Sequence, residues 1–291
     1  MKYVKTFRAN NISGLEEAEI REKEFMSQMT EFNAEGNPIE VTTYFPDGTV
    51  EHKYKYHYSS EGKLLNELLF EGETEITEHR SMEYNAKGQM IKESIHYLDG
   101  TADEMCFAYD EEGRILSKRS LNSEGETDSY VVIIYDEDKL FSETEYDIAE
   151  EIISQRKIIY DEEGRMSEEL FKSIEEDYNV VYSYDEKGQV TLRRRYDAEE
   201  QLTERNTYAY DENGRLAETR EESNMGVEIS TFRYDASGNV VVQEDKAEND
   251  EVLSRVERTY DEENRILTLS ILSQRPHDQI QQHYRIRTEY E

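Results

Sequence analysis

The 291-residue chain has a single cysteine, Cys106, and only three prolines. One cysteine excludes an intrachain disulfide framework and any cysteine-rich zinc site. Three prolines and 14 glycines exclude collagen-like and low-complexity chains. Long apolar runs are missing as well. None approaches the ~18 residues of a membrane-spanning helix, and the opening MKYVKTFRANN has no apolar h-region of a signal peptide. The expected location is therefore cytoplasmic. Apolar residues make up only 35% of the chain, against about 45–50% in typical globular proteins. Basic residues are scarce too: 34 Lys and Arg face 68 Asp and Glu, for a net charge of −34. Such a field repels phosphates and anionic lipid surfaces, so direct nucleic-acid and membrane binding are not expected. A partner guided by charge would be a protein with a basic surface. Low hydrophobicity with high net charge usually means disorder. Here 22 Tyr and 9 Phe argue for a folded chain.

A repeat organises those aromatics. Phe32, Tyr58, Tyr84, Tyr109, Tyr135, Tyr160, Tyr184, Tyr210, Tyr234 and Tyr260 recur every 24–26 residues, and Tyr290 is a candidate eleventh anchor. Each of the ten is followed by Asn, Ser or Asp, turn formers whose short side chains bond back to the chain. Four residues after most anchors comes a glycine, which supplies the positive φ of a tight turn. Lys139 and Asn264 are the exceptions; Asn tolerates that conformation, and Lys139 marks a one-residue deletion or a distorted turn. Two residues before an anchor and six after it the side chain is usually apolar, as with Tyr182 and Val190 around Tyr184. Period-2 spacing puts the anchor and the −2 residue on one strand face.

Each repeat thus reads as strand, Asx-x-x-Gly turn, strand, looser return turn. The predicted fold is all-β: a tandem-repeat antiparallel meander of about twenty strands, forming an elongated, curled or twisted sheet. Strands of about eight residues and a step of ~9.6 Å per repeat follow from ordinary strand dimensions. The three predicted regions are an N-terminal cap (1–31), the array (32–266) and a C-terminal cap (267–291) with Pro276 in a longer loop. Residues 15–29 permit a short helix or a charged edge strand. Cap strands are the preferred reading, since exposed sheet edges need a charged cover. Position +8 is mostly polar, so the apolar stripe is thin. Stability is expected from stacking of neighbouring repeats, with tyrosine burying its ring and keeping its hydroxyl wet.

The phrases YDEEGRIL (109–116), YDEEGRM (160–166), YDEKGQV (184–190), YDENGRL (210–216) and YDASGNV (234–240) resemble the tyrosine–aspartate (YD) repeats of the RHS family. The resemblance covers residues 32 to about 266. It implies a bacterial source and a long β-sheet of the kind that winds into shells around toxin domains. The repeat of about 25 residues is longer than the family's usual unit, and Pro38, Pro46 and Pro276 leave no DPxG-type autocleavage core. Ten repeats are expected to be too few to close a shell. A weaker resemblance is to short MORN-like antitoxin repeat proteins.

Site chemistry is sparse. His52, His57, His79, His96, His277 and His283 form no HExxH motif, and Cys106 has no partner histidine legible in the sequence. They are read as ordinary strand residues, and no cofactor, metal or enzymatic activity is expected. The acidic turns lack the spaced ligands of a calcium loop. They share one long rim of a meander, because two strands separate successive turns. The candidate partner-binding residues are Asp110, Glu111, Asp136, Glu137, Asp161, Glu162, Asp185, Glu186, Asp211, Glu212, Asp261 and Glu262. Arg114, Arg165, Arg215 and Arg265 partly neutralise that ridge. The expected function is a non-enzymatic bacterial binding protein that regulates or inhibits another protein, such as an antitoxin, an immunity protein or a defence-complex subunit. The alternatives are a nucleic-acid mimic occupying a DNA-binding protein, and an RHS-type shell or scaffold component.

Overall fold

The computed structural model describes residues 2–275 and 280–291. The expected Pro276 loop and His277 lie outside the described residues. The described chain holds 22 strands and one short helix. It is an antiparallel meander, as the turn spacing predicts.

The chain divides into two compact units, Tyr54–Thr203 and the remainder, Met1–Lys53 with Glu204–Glu291. Within Tyr54–Thr203 four Asx hairpins share one register. Tyr184 pairs with Val190 and Ser183 with Leu192, so Thr191 is an extra residue between them. The same shift recurs at Tyr84, Tyr109 and Tyr160. The anchor therefore faces its +6 residue across each of these hairpins, with a bulge at +7. The turn explains the constancy. The Asp185 N–H donates to the Gln189 carbonyl at 2.9 Å, and the Gly188 N–H to the Asp185 carbonyl at 3.0 Å. Gly188 closes the loop at φ 81°, a conformation that costs a side chain-bearing residue energy.

The hairpin after Tyr135 departs from this pattern in a defined way. Asp136 pairs with Lys139 across a two-residue turn, Glu137 takes φ 51°, and Tyr135 pairs with Leu140. Lys139 therefore does mark a one-residue deletion. Leu140, and not Phe141, fills the +6 role, and Phe141 is left exposed.

The core of this unit is shallow. Ile133, Ile158 and Val180 are its buried apolar residues, two or four positions before their anchors and on the anchor face. Glu169 lies opposite both Ile158 and Val180, so charge shares that face. Ser94, Ser142 and Thr144 are buried as well. Few fully buried aliphatics is what a 35% apolar chain can build.

The remainder, Met1–Lys53 with Glu204–Glu291, repeats the hairpin register at Phe32, Tyr210, Tyr234 and Tyr260. Residues 15–29, expected as cap strands, instead contain the helix Glu17–Glu22 and only then the strand Phe25–Phe32. A capping box of Glu16 and Glu19 starts the helix, with Glu17 and Glu19 in its first turn and Arg21 in its last. Ile20 anchors it against Ala9, Ile12 and Leu15. A six-residue helix is marginal by itself, so this small apolar cluster decides in its favour.

The terminal strands find partners without a separate cover. Tyr3–Asn10 pairs with Phe25–Phe32 on one side and with Ile280–Tyr290 on the other. The Lys2 N–H donates to the Glu291 carbonyl at 2.6 Å, and the Glu291 N–H to the Tyr3 carbonyl at 2.9 Å. An ion network sits beside this seam. Glu24, with a side chain only 6% exposed, accepts from Arg285 at 2.9 Å and Arg287 at 2.8 Å, and Arg285 also reaches Glu17.

Candidate interaction surface

Four of the Asx turns, those of Asp110, Asp161, Asp211 and Asp261, are built by a small repeating device. Asp161 Oδ1 accepts the Arg165 backbone N–H at 2.8 Å, while Oδ2 accepts its side-chain Nε at 2.8 Å. The Arg165 guanidinium then lies 4.7 Å from the ring centre of Tyr184, the anchor of the next repeat. The Tyr184 hydroxyl returns the link by donating to the Met166 carbonyl at 2.5 Å. Arg114 and Tyr135 reproduce this, and Lys139 with Tyr160 keeps the ring contact and the hydroxyl bond while the lysine amine donates to the Gly164 carbonyl. Beyond residue 204 the same pairs are Arg215 with Tyr234 and Arg265 with Tyr290. Tyr290 is therefore a true eleventh anchor. A cation over an aromatic face contributes about 0.5–1 kcal/mol at exposed sites. The hydroxyls are not left to water, contrary to expectation. Each joins its ring to the backbone of the preceding repeat, across 18–24 residues of sequence.

This geometry separates the predicted acidic residues into two groups. Asp110, Asp161, Asp211 and Asp261 spend their carboxylates on the turn and its arginine. For Asp211 and Asp261 the largest cause is the hydrogen bond from the backbone N–H of Arg215 or Arg265. It outweighs partial desolvation and holds both carboxyls below the usual range. For Asp110 and Asp161 desolvation pushes upward, but the hydrogen bonds from Arg114 and Arg165 prevail and the net direction is again down. Asp185 accepts the backbone N–H groups of Lys187 and Gln189, both at 2.9 Å. Asp136 sits exposed in the short two-residue hairpin. Glu111, Glu137, Glu162, Glu186, Glu212 and Glu262 point their carboxylates outward and are exposed. Of the predicted residues, those six and Asp136 are open to a partner.

Register also joins residues that the sequence reading kept apart. His79 and His96 face each other across a hairpin, rings stacked at 4.4 Å. His79 Nε2 meets Asn66 Oδ1 at 2.9 Å, and His96 Nε2 meets Ser81 Oγ at 2.7 Å. Desolvation, then the nearby His96 and His57, keeps His79 more readily neutral than a free imidazole. The signal was present, since the two sit at −5 and +12 around Tyr84, but it needs the bulged register to be read. Cys106 is half-buried, between Lys92 and Arg119 in the ladder. Among the described residues no group of three or more His, Cys, Asp or Glu could hold a metal ion. No helix of the described chain is long and apolar enough to cross a membrane.

A protein-family model, the teneurin YD-shell, matches residues 117–244. The chain resembles the RHS/YD-repeat proteins. Among solved structures, that of the Photorhabdus luminescens Tc holotoxin pore with a TccC3 mutation is similar at 12% identity and a TM-score of 0.47. That match covers 90% of this chain but only 16% of the other. A TcdB2–TccC3 structure matches at 13% identity and a TM-score of 0.33, covering 93% of this chain and 16% of that one. A porin-like protein from Bacteroides uniformis matches at 7% identity and a TM-score of 0.37, covering 100% and 96%. No curated protein matches.

Proposed function

We propose that this chain is a structural element of the YD-shell kind: a non-enzymatic wall or scaffold assembled around, or onto, another polypeptide. The observation that supports it is the device linking repeats. Tyrosine hydroxyls fasten most anchors to the preceding repeat, and turn cations such as Arg114, Arg165 and Arg215 add to the link within the YD phrases that carry them. The YD-shell match over 117–244 falls on this array. Carboxylates used to build turns are spent on architecture, which favours a wall over a dedicated acidic docking ridge. The regulator, antitoxin and immunity readings rest on family resemblance and overall acidity, with no structural feature behind them, so the scaffold reading is preferred to them. The proposal keeps a cytoplasmic setting and a protein partner with a basic surface.

Proteolysis of the natively purified protein with whatever it carries tests this. A wall should protect an associated polypeptide from proteinase K while the repeat chain itself stays intact. A partner that stays fully cleavable, or a chain that purifies with no associated polypeptide, would refute the scaffold reading.

A further inference from the structure

The return turns of Tyr54–Thr203 form the rim opposite the Asx turns, because consecutive antiparallel strands alternate their connections. The two rims differ in chemistry. At the Asx rim the turn tips are charged: Glu111 and Glu112, Glu137 and Asp138, Glu162 and Glu163, Glu186 and Lys187. Cations sit among them, and Arg114 and Arg165 bond their own turn acids. At three of the return turns, 97–101, 147–151 and 173–176, the tip is aliphatic. Leu98 is 95% exposed, Ile148 73% and Ile174 81%. Ile76, Tyr97 and Ile152 add further exposed apolar surface where strands meet these turns.

Nothing in the fold requires these tips to be apolar. The turns close on their own polar groups: Asp99 caps Thr101 at 3.0 Å, Asp147 caps Ala149 at 2.8 Å, and Ser173 caps Glu175 at 3.2 Å. A solvated turn would serve as well with polar residues at 98, 148 and 174. Loops carry a disproportionate share of binding residues, and three aliphatic tips recur on this one rim. The charge around them has one sign. Return turns 97–101, 122–126, 147–151, 173–176 and 197–201 contain acids and neither Lys nor Arg. Arg195 reaches in from its strand to pair with Glu176 at 2.6 Å.

We propose that the return-turn rim of Tyr54–Thr203, through Leu98, Ile148 and Ile174, docks a cationic amphipathic polypeptide segment. Apolar side chains of the segment cover the tips, and its Lys or Arg side chains pair with the carboxylates between them. Charge complementarity favours this occupant over a lipid surface, whose phosphates the flanking carboxylates repel. From Leu98 to Ile174 is three repeats, or ~29 Å at ~9.6 Å each, which an extended segment of about ten residues spans. The rim goes beyond the shell reading and stands whether or not the chain encloses anything.

Fluorescence anisotropy with a labelled peptide of alternating leucine and lysine, about ten residues long to match that span, tests it on the full chain. Oligolysine of the same length and phosphatidylcholine vesicles are the comparison probes. The triple variant Leu98→Ser, Ile148→Ser, Ile174→Ser should weaken the leucine–lysine peptide about tenfold or more and leave oligolysine within about twofold. The triple variant Glu111→Gln, Glu162→Gln, Glu186→Gln on the other rim should change the leucine–lysine peptide by about twofold or less. All six positions are exposed, so both variants should keep the parent circular dichroism spectrum. Absence of peptide binding, or equal loss from the two triple variants, overturns the proposal. So does binding to the vesicles that the first triple variant abolishes, which would make the rim a lipid contact.

Discussion

Tyr184 is the anchor whose replacement separates the contributions of ring and hydroxyl. Its hydroxyl donates to the Met166 carbonyl and its ring lies under Arg165, so both contacts reach into the preceding repeat. Tyr184→Phe removes only the hydroxyl. A typical internal hydrogen bond contributes about 0.5–1.5 kcal/mol net, so a loss of about 1 kcal/mol is expected. The phenyl ring stays beneath the guanidinium and keeps its attraction. Tyr184→Ala removes the ring as well. Truncating a buried aromatic costs about 3–5 kcal/mol, but this side chain is half-buried, which points to about 2–3 kcal/mol. Glu186→Ala, two residues on at an exposed turn tip, should stay within about 0.5 kcal/mol. Equilibrium urea unfolding followed by far-UV circular dichroism measures all three. If Tyr184→Phe matches the parent while Tyr184→Ala loses no more than Glu186→Ala, the anchors do not fasten the repeats.

Three further outcomes are expected. Gly188 stands at φ 81° with its nearest neighbour atom, Arg165 Cδ, 4.0 Å from where a Cβ would sit, so Gly188→Ala should cost about 1–2 kcal/mol of backbone strain alone; unchanged urea stability would refute that. Glu24→Ala strips a buried partner from Arg285 and Arg287, and should cost up to about 3 kcal/mol and speed amide exchange in residues 284–290; unaltered exchange there would mean the network does not hold the terminal strands. Asp110, Asp161, Asp211 and Asp261 are held below the ordinary carboxylate range, so their contribution is complete above about pH 4 and is lost as pH falls through the lowered values. Replacing all four by Asn should flatten the acid limb of a stability–pH curve, and an unaltered limb would refute the assignment.

The 24–26 residue spacing of aromatics, and the Asx and Gly that follow them, determined by themselves that this chain is a β-meander in which most hairpins share one kind of turn. Those signals are local. An Asp that caps the N–H groups two and four residues ahead, and a glycine at positive φ, act within a single hairpin and need no distant partner. Lys139 was legible for the same reason, because a missing residue in a turn changes its loop length directly. What only the tertiary structure decided depends on groups brought together from far apart. The tyrosine hydroxyls reach carbonyls 18–24 residues back, and the +7 bulge, invisible to simple alternation, sets which side chains face one another. The His79–His96 stack exists only in that register. The helix Glu17–Glu22 forms because Ile20 finds Ala9 and Ile12, a tertiary contact that overrides an ambiguous local preference. The pairing of Tyr3–Asn10 with Ile280–Tyr290 joins the two ends of the chain. No local pattern announces it, since the entropy of closing so long a loop is offset only when both strands are in place.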